Sequence, residues 1–182
     1  APPALPATDK PIVVVVLRSH PLLTPERLQT LIQAFQDFQT QSNSFILLLP
    51  FQPVQDQAIA EQIAAQLQQD YAIMSIPHPQ QLKGLFKEVK MAIGMRLHSL
   101  IMAAAEGCRC FALSYDPKVA QLMSELNLPG YELRDLPKQP EIISAAWLAQ
   151  LEQQGNDSEK IQSLVDRALI HQQLLRETII KD

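Results

Sequence analysis

The sequence predicts an α/β layer sandwich, a parallel sheet with helices on both faces. Short apolar, often β-branched runs recur, beginning with Ile12 to Leu17, and carry none of the polar alternation of a half-exposed strand. Between them lie segments whose apolar residues fall three and four apart, as on one face of a helix. The two kinds of segment alternate along the chain. Right-handed crossovers then leave few arrangements besides a Rossmann-like parallel sheet.

Taken in order, the strand Ile12 to Leu17 ends in Arg18-Ser19-His20-Pro21, a loop at the ligand-facing edge of such a sheet. Thr24-Pro25-Glu26 then opens a helix, with a hydroxyl cap, a proline at the first helical position and an acid in the first turn. Leu28, Leu31, Ile32, Phe35 and Phe38 form its sheet-facing stripe. Phe45 to Leu49 is the second strand, and the helix after it carries Ile59, Ile63 and Leu67. Gln52, Gln55 and Asp56, in the loop between the two, could touch a substrate or start the helix, and the helix start is the expected role. Ala72 to Ile76 is the third strand, Pro77-His78-Pro79 a rigid turn, and Gln80 to Val89 a short helix.

A fourth strand ends at Gly94, and a helix runs from Arg96 to Glu106 with Leu97, Leu100, Ile101 and Ala104 facing inward. Cys108 to Leu113 is the fifth strand, its two cysteines expected one on each face and reduced. Ser114-Tyr115-Asp116-Pro117-Lys118 leads into a helix bearing Val119, Leu122, Met123 and Leu126. Tyr131 to Leu133 is a short sixth strand, Leu136 to Pro140 a surface crossing, and Glu141 to Gln154 a helix. A break at Gly155-Asn156-Asp157 precedes a last helix. The expected organisation is a linker over 1–11, one Rossmann-like domain over 12–155 and a C-terminal helix over 156–182. A Pro/Ala-rich opening that runs straight into a strand suggests that something lies upstream.

The 182 residues are 47% hydrophobic, enough for a sizeable single core. A net charge of −4 with no Lys/Arg run gives no electrostatic reason to expect nucleic acid. No apolar run approaches the roughly 20 residues needed to span a bilayer. There is no G-x-G-x-x-G or G-x-x-x-x-G-K-[ST], and five glycines cannot build either phosphate cradle, so dinucleotide and P-loop readings fall away. Neither a G-x-S-x-G elbow nor H-E-x-x-H nor a cysteine cluster is present, and no metal is expected.

What remains is anion binding by loops and helix ends. Arg96 and His98 stand at a strand-to-helix junction, where unpaired N–H groups and the helix dipole favour an anion. An always-charged planar guanidinium suits a phosphate or carboxylate, and an imidazole can pass a proton near neutral pH. The structural alternative is a solvated Arg96 and a packing His98. Arg18 closes the first strand and could meet the same anion or merely cap a strand end. Asp116 and Lys118 follow the fifth strand, where Lys118 could approach a phosphate and Asp116 could equally cap the next helix. His20, His78 and His171 read as structural or solvated.

The run Gly94-Met95-Arg96-Leu97-His98-Ser99-Leu100, followed a strand later by Ser114-Tyr115-Asp116-Pro117-Lys118, resembles the polysaccharide pyruvyl transferase family. The likeness covers about Ile12 to Trp147. It implies an enzyme resembling the C-terminal domain of a GT-B glycosyltransferase. Its reaction would move a pyruvyl group from phosphoenolpyruvate to a cell-wall or exopolysaccharide sugar, forming a pyruvate ketal and releasing phosphate. It further implies that Arg96, Leu97 and His98 bind phosphoenolpyruvate, with help from a basic residue after the first strand, here Arg18, and from Asp116 and Lys118. His98 is then the expected general acid. No cofactor is expected beyond phosphoenolpyruvate as co-substrate. The expected partners are a lipid-linked saccharide acceptor and an N-terminal domain of the same protein, and the expected location is the cytoplasm, at the inner face of the membrane. A glycosyltransferase holding a nucleotide-sugar diphosphate in the same crevice, or a non-catalytic interaction module, are the alternatives. The acceptor sugar and the catalytic base are not legible.

Overall fold

The computed structural model describes residues 4–76 and 78–153, so Pro77, the break at 155–157, His171 and the expected last helix lie outside the described residues. Six strands form one sheet: β1 (Ile12–Val16), β2 (Phe45–Leu48), β3 (Tyr71–Ile73), β4 (Met91–Gly94), β5 (Arg109–Ser114) and β6 (Gly130–Glu132). Their order is β3-β2-β1-β4-β5-β6, and every pairing is parallel. Among the described residues six α-helices connect and cover them: α1 (Pro25–Ser42), α2 (Pro53–Ala64), α3 (Pro79–Glu88), α4 (Leu97–Ala105), α5 (Pro117–Glu125) and α6 (Pro140–Glu152). A single 3-10 turn, Leu133–Asp135, precedes α6.

The period-2 geometry of the strands divides the core into two layers. On one face Val13, Val15, Ile46, Leu48, Met91, Ile93, Phe111 and Leu113 meet α1, α2 and α6. On the other, Val14, Val16, Leu47, Ala92, Cys110 and Ala112 meet α3, α4 and α5. Both layers exist because the central strands β1, β2 and β4 carry no polar side chain, as their uninterrupted apolar runs required. Cys108 and Cys110 share the second layer. The expectation of one on each face is therefore corrected: residues two apart on an extended chain point the same way.

Local chemistry explains the helix ends. Thr24 caps α1, its hydroxyl accepting the Arg27 N–H at 3.2 Å with Pro25 at the first position. Asn43 ends α1 in the left-handed region, at φ 54°, and its N–H returns to the Gln39 carbonyl. Strand β3 is shorter than Ala72 to Ile76, because its last rung is the bond from the Met74 N–H to the Leu48 carbonyl, where β2 itself stops. Helix α4 begins at Leu97, leaving Arg96 as its extended cap residue. Among the described residues no helix is long and apolar enough to cross a membrane.

Candidate functional site

Strand order reverses between β1 and β4, since the chain moves from β1 towards β2 and β3 and later from β4 towards β5 and β6. Beyond the carboxyl ends of two such strands the connecting loops diverge and leave a crevice. Gly94 closes β4 at this seam. A Cβ there would lie 2.9 Å from the Val16 carbonyl oxygen and 3.3 Å from Val16 Cβ, so only glycine lets β4 lie this close to β1. Two residues later the chain turns into α4. This places Arg96 and His98 at the carboxyl edge of the sheet and the amino end of a helix.

Arg96 is buried, at 3% exposure, and its guanidinium is held from one side. Asp56, also buried, takes Nε at 2.9 Å through Oδ2 and Nη2 at 2.7 Å through Oδ1, the two-pronged geometry in which arginine pairs best with carboxylate. Gln55 Oε1 accepts the second Nη2 hydrogen at 3.1 Å. Asp56 Oδ2 also accepts the N–H of Gln52, the cap residue of α2, at 2.9 Å. A pair this buried is costly to break, at about 3–5 kcal/mol, because removing one partner strands the other charge. The contact ties the start of α2 to the start of α4. Nη1 of Arg96 is left without a hydrogen bond among the described residues.

His98 lies in the first turn of α4, half-buried, its ring edge-on to Phe51 with centroids 6.4 Å apart. Arg96 and His98 thus both face the segment 51–56 that follows β2. Arg18 points the other way across the sheet. Its Nη1 donates to the Tyr115 hydroxyl at 3.4 Å, its guanidinium carbon sits 5.3 Å from the centre of that ring, and its Nε donates to the Ser19 carbonyl at 3.3 Å. Tyr115 also packs on His20, with ring centroids 4.5 Å apart. The Leu22 N–H donates to His20 Nδ1 at 3.0 Å, which makes Nδ1 the unprotonated nitrogen.

The two arginines cross the seam in opposite directions. Arg96, after β4, reaches past β1 to a residue following β2. Arg18, after β1, reaches past β4 to a residue following β5. The structure brings Arg96 together with His98 through the 51–56 segment and gives Arg18 separate partners. The Leu97 side chain is buried in the core, so it can offer the crevice only main chain, and an N–H at this helical position has no intrahelical acceptor. Asp116 accepts the Lys118 N–H at 2.9 Å and so caps α5, while Lys118 is exposed. Among the described residues no group of three or more His, Cys, Asp or Glu could hold a metal ion.

Phe51 and Tyr115 neighbour the candidate site and are not singled out by the sequence, while Asp56 and Gln55 are weighed there and set aside in favour of starting a helix, which Asp56 does brace. The signal for its second role is topological: β2 and β4 both flank β1, so their trailing loops must meet over its end.

The fold is shared with sugar-processing enzymes. The chain is similar to a glycosyltransferase of kitacinnamycin (14% identity, TM-score 0.61, covering 94% of this chain and 42% of that one). It is likewise similar to a glycosyltransferase from Rickettsia africae (13%, TM-score 0.59, covering 96% and 49%). A third likeness is to an α,α-trehalose 6-phosphate synthase from Burkholderia multivorans (14%, TM-score 0.55, covering 88% and 39%). The chain therefore spans less than half the length of each of these structures. No curated protein sequence matches it significantly. The family model for polysaccharide pyruvyl transferase matches residues 1–117, a stretch that runs from before β1 through Asp116 and contains both arginines and His98. With that match over most of its length, and with the Arg-Leu-His run at the reversal point of its sheet, the chain belongs to the polysaccharide pyruvyl transferase family.

Proposed function

We propose that this chain binds phosphoenolpyruvate as the donor-binding half of an enzyme that transfers a pyruvyl group to a cell-wall or exopolysaccharide sugar. The observation that carries the reading is the placement of Arg96, Leu97 and His98 at the amino end of α4 on the β1/β4 seam, in a chain of this family. Phosphoenolpyruvate presents a phosphate and a carboxylate. The Leu97 N–H, the positive end of the α4 dipole and Nη1 of Arg96 are donors suited to one of them, and Arg18 and Lys118 can approach the other. Because Asp56 balances the charge of Arg96, that residue contributes direction more than net charge.

His98 is the general acid in this scheme. It protonates the donor's methylene carbon, the double-bond electrons form the new C–H bond, and the central carbon becomes oxocarbenium-like. One acceptor hydroxyl adds to that carbon and loses its proton. Phosphate then departs with the electrons of its C–O bond, and a second hydroxyl of the same sugar adds to the central carbon and gives up its proton to close the ketal. Acceptor contacts come from a second domain, in keeping with a chain that covers less than half of each of the three sugar-enzyme structures above. With one wall of the cleft present, each ion pair keeps about 1 kcal/mol, and donor affinity is roughly millimolar.

The test has two arms. Thermal stabilisation by phosphoenolpyruvate is compared with stabilisation by a panel of nucleotide sugars, and phosphate release is followed in the full-length enzyme with lipid-linked saccharides. Arg96→Lys is expected to weaken donor binding about tenfold, while His98→Ala lowers kcat more than it raises KM. Stabilisation by nucleotide sugars alone would assign the crevice to glycosyl transfer instead.

A further inference from the structure

The pairing of Arg96 with Asp56 has a geometric effect beyond charge balance. A guanidinium offers five N–H donors in one plane, and here three of them are committed: Nε–H and one Nη2–H to Asp56, the other Nη2–H to Gln55. The two on Nη1 remain. Since both carboxylate oxygens of Asp56 are engaged and Oδ2 is further anchored by the Gln52 N–H, the plane of the guanidinium cannot swing without breaking several bonds together. Asp56 is 1% exposed, so water does not readily substitute for it.

We infer that Asp56 is a positioning residue of the anion site: it fixes the plane of Arg96 so that Nη1 is aimed at the bound anion, and it holds Phe51 beside His98. The inference rests on the reading of the crevice as a donor site, and Asp56 itself touches no substrate. It makes a counter-intuitive demand. A carboxylate near an anion site repels the anion, so on charge alone its removal should tighten binding. If Asp56 acts by orienting Arg96, its removal must weaken binding although the site becomes more positive by one unit.

The experiment measures the affinities of phosphoenolpyruvate, inorganic phosphate and uridine diphosphate for the full chain, as wild type, Asp56→Asn and Asp56→Glu. Asp56→Asn is expected to bind the preferred anion about tenfold more weakly, and Asp56→Glu to recover part of the loss. Unchanged or tighter binding by Asp56→Asn overturns the proposal. A wild type that prefers uridine diphosphate sinks the phosphoenolpyruvate reading, while the Asp56→Asn comparison with that ligand still decides the role of Asp56. A wild type that binds none of the three overturns both. Should Asp56→Asn not fold, the Arg96 Nε–H resonance of the wild type serves: it should stay protected and shift on titration with the preferred anion, and no shift at saturation overturns the assignment.

Discussion

Cys108 and Cys110 lie buried in the sheet layer covered by α3, α4 and α5. Burial pushes Cys108 from 9.0 up to about 12, with the Arg109 charge offsetting only part of the effect, and burial pushes Cys110 well above its ordinary value. A raised folded-state value means that the folded protein keeps its protons where the unfolded chain begins to lose them. The stability these thiols contribute is complete below pH 9 and is lost as pH rises from there towards 12. The urea midpoint should therefore fall above pH 9, and fall less steeply in a Cys108→Ala, Cys110→Ala double variant. A double variant with the same slope would place the titration elsewhere. Single residues were unevenly legible. Arg96 and His98 announced themselves by a glycine-to-helix junction, a local pattern. Asp56 did not, because its partner is 40 positions away and the contact depends on strand order, which no short window contains.

Helices α1 and α6 pack against each other over the sheet, and Trp147 is the centre of that contact. It stacks on Phe35 with centroids 4.6 Å apart and meets Phe38 and Phe111 edge-on. Ser144 donates to Asp37 across the same helix pair. The indole Nε1 has no hydrogen-bond partner among the described residues, a donor desolvated without compensation. Trp147→Ala should thus lower stability by about 3–5 kcal/mol through the cavity it leaves. Trp147→Phe should cost clearly less, since it removes the orphaned donor along with part of the ring. Urea titration of both variants checks this, and equal losses would mean that Nε1 is satisfied by an ordered water. The element itself was easy to read: Pro140 at the start and apolar spacing through Trp147 mark the helix. The limits of β3 and α4 were not, because they depend on where a neighbouring strand ends and on which residue serves as a cap.

The two core layers are faces of the same six strands, so neither can be lost while the other stays intact. Indole fluorescence reports on the α1/α6 layer, since the chain has one tryptophan, and far-UV circular dichroism reports on all the helices. The two should give coincident urea transitions, and an earlier fluorescence change would show that α6 detaches as a separate unit. The parallel architecture was legible from strand composition alone, whereas the strand order became visible only in three dimensions.

That order has a consequence for assembly. Along the seam Val13 pairs with Met91, the widest separation in sequence of any paired strands described, so closing it costs the most chain entropy and rewards the chain late. The crevice does not exist until that pairing has formed. On the proposed reading, an anion held there binds only the finished sheet, and by mass action it draws the folding equilibrium towards it. Under that proposal substrate supply and the fraction of chain that stays folded are coupled through a single strand pairing.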